Sequence, residues 1–311
     1  MRQVVESLRA ARRALRYVGP AYRRAQRVDL LKQRLRWPVL AALEPRATLH
    51  WFERCARAPL AAAVRLQPLL PLKPLRPYLS MRWNRRQRMR VIEHSWKLLL
   101  GGPAALREAV ATPGGRRLAQ VTVGGEALEL RLGTNRRFRK EGEIALSLCA
   151  GSQGEAISSV ALSFESATDG WRAYVGCLQG ARGAREMYGR LTKALHGMRP
   201  TYLLVFATQE LVRVLGVQRL LAAGGQIQVH RSKHLLHVRR WHALSCNYDR
   251  TWLEAGGSAG MDGWFTLPLQ AARRSHAQQA SHKRAMYARR YSLMEEIATQ
   301  IRFALHGIQP G

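Results

Sequence analysis

Apolar residues at helical spacing open the chain. Val5, Leu8, Leu15, Val18 and Tyr22 recur over residues 4–36, with Arg2, Arg9, Arg12, Arg13, Arg16, Arg23, Arg24 and Arg27 filling much of the remainder. Gly19-Pro20 breaks the run. Residues 38–66 predict one or two further helices packed through Leu40, Leu43, Leu49, Trp51 and Phe52. Pro68, Pro71, Pro74 and Pro77 then recur every third residue, the polyproline II period, and predict a stiff connector over the domain. A helix over 85–100 stops at Gly101-Gly102-Pro103, and a short one over 104–111 follows.

After Pro113-Gly114-Gly115 the period changes to two. Leu118–Val123 and Leu128–Leu132 alternate around Gly124-Gly125, a hairpin signal. Ile144–Cys149, Ile157–Phe164 and Trp171–Leu178 extend it into an antiparallel meander. Helices are expected at 185–197, 202–215 and 233–255, strands at 220–229 and 263–268, and a long basic helix at 276–306. The fold class predicted is α/β in the α+β sense. A helical N-terminal region (1–112) packs on a mixed, largely antiparallel sheet (113–270), with a C-terminal helix (271–311).

Charge sharpens this division. The 311 residues hold 51 Lys+Arg against 20 Asp+Glu, net +31. Residues 1–100 carry 23 basic and 5 acidic residues, whereas 101–170 carry 8 of each. The excess therefore belongs to particular elements, and suits nucleic acid, anionic lipid or an acidic protein. The preference for Arg (44) over Lys (7) also fits a GC-rich genome without selection for binding.

Cys55, Cys149, Cys177 and Cys246 are too scattered for a zinc pair or a disulfide framework, and Cys149 and Cys177 read as core thiols. His230, His234, His237 and His242 cluster, but no acidic or Cys ligand accompanies them, so no metal is expected. No apolar run approaches the roughly 20 residues that span a bilayer. A cytoplasmic location, peripheral to the inner membrane, is expected.

Several motifs together resemble one bacterial family. They are Tyr174-Val-Gly-Cys-Leu-Gln-Gly180, Thr192-Lys-Ala-Leu-His-Gly-Met-Arg-Pro200, Tyr248-Asp-x-x-Trp252-x-x-x-Gly256-Gly257, Asp262-Gly-Trp-Phe-Thr-Leu-Pro268 and Lys283-Arg-Ala-Met-Tyr-Ala-Arg-Arg-Tyr291. The chain resembles the VirK/YbjX family over roughly residues 35–305. That resemblance implies a Gram-negative source and links to virulence and cationic-peptide resistance. It implies no particular reaction.

The order of elements also resembles a GNAT-type acyltransferase core. That likeness implies a donor site at the loop after Trp171–Leu178, where backbone N–H groups at a helix N-terminus meet the pyrophosphate or phosphopantetheine of an acyl donor. Gln179, Gly180, Ala181, Arg182, Gly183 and Ala184 occupy that place, and the N–H groups of 181–185 are expected to converge. Arg182 stands where the pattern has its first glycine. A tight strand-to-helix turn that needs glycine is the competing reading. Tyr248, with Asp249 beside it, is the candidate acid for the leaving thiolate, and Glu165 the candidate base through water. Tyr248 and Trp252 also read as core aromatics one turn apart.

Three functions compete. The first is acyl transfer from acyl-coenzyme A or an acidic acyl carrier protein to an amine or hydroxyl. The second is a non-catalytic factor on the anionic envelope surface, through the N-terminal helix and residues 273–290. The third is nucleic-acid binding through Arg85, Arg86, Arg88 and Arg90 beside Trp83. The first needs strands 171–178 and 220–229 to part. The second needs an exposed apolar stripe flanked by arginines, and the third a continuous basic groove.

Overall fold

The computed structural model describes residues 1–23, 26–151, 156–181, 185–229, 247–273, 275 and 280–306. Alternation of apolar and polar residues builds β1 (Arg116–Val123), β2 (Glu126–Gly133), β3 (Ile144–Ala150), β4 (Ala156–Ala167) and β5 (Gly170–Gly180) into an antiparallel meander. Gly124 and Gly125 both take positive φ, as a two-residue hairpin turn that follows the strand twist requires. β6 (Val217–Ala223) lies parallel to β5, and β7 (Ser258–Ala259) and β8 (Trp264–Leu267) complete the order β1-β2-β3-β4-β5-β6-β8-β7. The sheet is thus mixed and largely antiparallel, as expected. β6 ends earlier than the 220–229 reading, because Gly224 turns the chain away.

Helices cover both faces. Ser158 and Tyr188 place α7 (Arg185–Ala194) against one face, where α8 (Pro200–Val214) packs on β3, β4 and β5. α8 is buried from Leu203 to Val212, including Thr208, Gln209 and Glu210. α10 (Arg284–His306) packs on α8 and β1, and the Gln300 side-chain amide exchanges two hydrogen bonds with the Gln120 backbone (2.8 and 2.9 Å). That closes part of an edge strand that could otherwise pair with another chain.

The N-terminal region supplies α1 (Arg2–Ala21), α2 (Arg27–Ala42), α3 (Pro45–Cys55), α4 (Leu60–Leu66), α5 (Arg85–Gly101) and α6 (Ala104–Ala111). α5 docks on the edge of β4 just before β3 begins, where Phe164 and Ser166 have no β3 partner. Ser95 Oγ accepts the Phe164 N–H at 2.7 Å, and the Ser166 N–H donates to His94 Nδ1 at 3.1 Å. The proline segment differs from its reading: Leu70–Leu75 is a wholly buried 3-10 turn, not an extended connector.

α1 also differs. Small Ala10 and Ala14, with Val18, turn inward, while Val5, Leu8 and Leu15 face solvent.

Candidate functional site

β5 and β6 share backbone pairing only from Trp171↔Val217 to Val175↔Ala222. β6 stops at Ala223, one residue beyond that last pair, while β5 runs on to Gly180 without β6 beside it. Gly176 is the extra residue of a β-bulge, since Val175 and Cys177 pair with the adjacent residues Leu162 and Ala161. A Cβ on Gly176 would lie 1.8 Å from the Glu141 carbonyl oxygen, and one on Gly142 would lie 2.7 Å from Leu162 N. Glycine at both positions lets the 141–142 backbone rest directly on β4 and β5. Leu79 packs over the same bulge, and its N–H donates to the Lys140 carbonyl.

The segment after Leu79 reaches the turn beyond β6. The Met81 N–H donates to the Ile227 carbonyl at 2.9 Å, and Arg82 reaches Gln226. Trp83, Tyr174 of β5 and Trp264 of β8 then form an aromatic trio with centroids 5.0–5.4 Å apart. One face of β5 and β8 is therefore roofed by the N-terminal region. Two surface grooves lie away from it, about 550 Å³ between β1 and α10 and about 480 Å³ along β2 and β3.

The candidate donor loop begins at the far end of β5. Gln179 and Gly180 still belong to the strand, paired with Ser159 and Ser158. The Ala181 N–H donates to the Ile157 carbonyl at 2.8 Å. This corrects the expectation for 181–185: the first of those N–H groups closes the sheet rather than facing a donor. Arg182, Gly183 and Ala184 lie outside the described residues. Gly180 has a local reason to be glycine, because a Cβ would lie 2.4 Å from the Tyr188 hydroxyl. That hydroxyl donates to the Ile157 carbonyl (2.8 Å) and meets Ser158 Oγ, so it fastens α7 to the loop end of β4. Sequence reasoning missed Tyr188; its signal is three-residue spacing from inward-facing Leu191.

Tyr248 opens α9 (Tyr248–Glu254), capped by Asn247 accepting the Arg250 N–H. It is buried and lies 6.0 Å from the Trp252 ring. Trp252 Nε1 donates to the Ala223 carbonyl (3.0 Å), and Asp249 accepts the Gly225 N–H (2.6 Å). α9 is thereby moored to the last residue of β6 and the turn beyond it. In a parallel pair, that is the end at which Gln179 and Gly180 also lie. Asp249 is engaged as a turn acceptor.

Glu165 sits elsewhere. It pairs across the sheet with Arg172, seven residues before Gln179 and roughly 20 Å away at strand rise. Its carboxylate accepts the Tyr174 hydroxyl at 2.6 Å and faces Arg90 at 3.7 Å. Burial, then the Glu165 hydrogen bond, pushes the Tyr174 hydroxyl above its ordinary pKa.

Residues 26–302 match the family described as "Protein of unknown function (DUF535)". The chain belongs to that family. Among DUF535 relatives, an uncharacterized protein of Escherichia coli K12, YbjX, is 27% identical over 268 residues, 85% of this chain and 80% of its own. Two uncharacterized proteins of Haemophilus influenzae Rd are 33% identical over 119 residues (38% of each chain) and 28% identical over 190 (59% of each). The DUF535 span includes the whole sheet and α9, and begins after α1.

A buried polar group between the N-terminal region and the sheet also escaped the sequence reading. Lys73 Nζ donates to Glu143 (2.6 Å), Trp96 Nε1 donates to the same carboxylate (2.7 Å), and Tyr78 and Ser163 hydroxyls meet at 2.6 Å. Nothing in the sequence marks these residues, which stand far apart along it.

The arginine stretch at 85–90 divides: Arg86 and Arg90 are exposed, and Arg85 and Arg88 turn inward. Arg85 is buried on Thr48 and the Leu40 carbonyl, Arg88 reaches the Pro74 carbonyl, and Trp83 is packed in the aromatic trio. The cluster His230, His234, His237 and His242 lies outside the described residues, as do Arg24 and Cys246. Among the described residues, no group of three metal-ligating side chains occurs, and no helix is long and apolar enough to cross a membrane.

Proposed function

We propose that this chain is an acyltransferase of GNAT-like build, moving an acyl group from an acyl-coenzyme A or acyl carrier protein thioester to an amine or hydroxyl. The observation that carries this is that β5 runs on past its last pair with β6, Val175↔Ala222, the one parallel pair among the described residues, with a bulge at Gly176, small residues Gly180 and Ala181 at its end and a tyrosine-bearing helix beyond β6.

In this reading the acceptor's lone pair attacks the thioester carbonyl carbon. The C–S bond breaks, the thiolate takes a proton from a donor, and the proton released by the acceptor's N–H or O–H returns through solvent to that donor, leaving an amide or ester and a free thiol. Tyr248 is assigned as the proton donor. A neutral phenol can deliver a proton to a thiolate formed within hydrogen-bond reach. The net +31 chain would draw in an acidic carrier protein.

A thiol-release assay tests the reading. Purified protein with acyl-coenzyme A or acyl carrier protein, and a panel of amine and hydroxyl acceptors, should release thiol only when donor and acceptor are both present. Tyr248→Phe should slow release about 100-fold or more while donor affinity stays near normal, the scale of general-acid loss. No release above the uncatalysed rate with either donor counts against it.

A further inference from the structure

α1 and α2 form a helical hairpin, and each helix exposes an apolar stripe. Ser7 Oγ donates to the Ala42 carbonyl, so the start of α1 lies beside the end of α2 and the helices run antiparallel. α2 buries Trp37 and Ala41 and leaves Val28, Leu31, Leu35, Val39 and Leu43 between 60% and 67% exposed. On a helical wheel those five fall within about 120°, opposite the buried pair. α1 does the same: Ala10, Ala14 and Val18 are buried, whereas Val4, Leu8 and Leu15 are 43–66% exposed. Isolated exposed leucines need no explanation, but an apolar stripe on each helix of one hairpin does.

Charge narrows what covers the stripes. The two helices carry nine Arg and Lys residues against Glu6 and Asp29 alone. Arg9, Arg12 and Arg16 adjoin the α1 stripe, and Lys32 lies within the α2 stripe; all four are exposed. A second copy would bring like charges together. A surface that combines an apolar layer with negative headgroups matches both features.

We propose that the α1–α2 hairpin is an anionic-membrane docking surface, lying in the headgroup plane with Leu8, Leu15, Leu31 and Leu35 entering the acyl boundary. Arg9, Arg12 and Arg16 hold phosphate groups. The proposal is independent of any acyl-transfer chemistry, since it uses none of β5, β6 and α9.

Co-sedimentation of the full chain with vesicles tests it. Vesicles of phosphatidylglycerol mixed with phosphatidylcholine should bind the protein, and phosphatidylcholine alone should bind it far less. Arg9→Gln with Arg12→Gln and Arg16→Gln should weaken binding about 100-fold at low salt, from ~1 kcal/mol per basic residue near an anionic surface. Leu31→Gln with Leu35→Gln should weaken it at least tenfold, including at salt concentrations that screen the arginines. All five positions are exposed, so the thermal midpoints of both variants should match the parent within a few degrees. Equal binding to neutral and anionic vesicles, no binding to either, or a dimer in sedimentation equilibrium that Leu31→Gln with Leu35→Gln abolishes would each overturn the proposal.

Discussion

Lys73 and Glu143 form an ion pair 2.6 Å long with both side chains sealed from solvent. It joins the proline-rich turn to the residue preceding β3, and so ties the N-terminal helices to the sheet. Burial pushes the Lys73 amine below its ordinary pKa, and Glu143 opposes that push. Removing one partner of such a pair strands the other charge and costs about 3–5 kcal/mol. Lys73→Met is therefore expected to lower stability by that amount in urea unfolding. Adding Glu143→Gln should recover part of the loss, because the amide carries no charge and still offers Trp96 an acceptor. A double variant less stable than Lys73→Met would contradict this account.

Two glycines should respond in opposite directions to alanine. At Gly176 the new Cβ would meet the Glu141 carbonyl at 1.8 Å, backbone against backbone, so Gly176→Ala is expected to cost more than about 4 kcal/mol or prevent folding. Gly189, on the exposed side of α7, has nothing within 4 Å of a Cβ. Gly189→Ala should stabilise the chain by about 0.5–1 kcal/mol through helix propensity. Thermal unfolding of the two variants measures both signs.

Tyr174 sets an alkaline limit. Its hydroxyl, buried and bonded to Glu165, ionises at higher pH in the folded chain than in the unfolded one. A raised folded pKa contributes stability that is present below the unfolded value, about 10, and is lost as pH rises toward the folded value. Tyr78 acts in the same direction. Unfolding free energy should therefore fall as pH rises above about 10. Tyr174→Phe should fall less steeply in that range. Parallel pH profiles for parent and variant would contradict the assignment.

The strands were legible because alternation and glycine turns are local signals. The hairpin at Gly124-Gly125 and the meander through Phe164 follow from them directly. The proline turn was not, because polyproline II and the 3-10 helix share a three-residue period, so Pro68, Pro71 and Pro74 fit either. Only the burial of Leu70 and Leu72 separates the two. Helical spacing in α1 revealed a stripe but not which side faces inward; α2 and α3 decide that by accepting the narrow Ala10–Ala14 face. Of the candidate site, the end of β5 near Gln179 and a helix at Tyr248 were legible in the sequence. The bulge at Gly176 and the Tyr188 clamp depend on contacts between distant segments, which spacing does not encode.

The acyl-transfer account turns on donor binding at the end of β5, and calorimetric titration measures it most directly. Acyl-coenzyme A and acyl carrier protein are titrated separately into the full chain and into Gly180→Val, whose side chain would strike the Tyr188 hydroxyl at the loop end of β5. The account predicts saturable binding of at least one donor to the parent, near-normal binding by Tyr248→Phe, and at least tenfold weaker binding by a folded Gly180→Val. Absence of binding by both donors to the parent protein would contradict it.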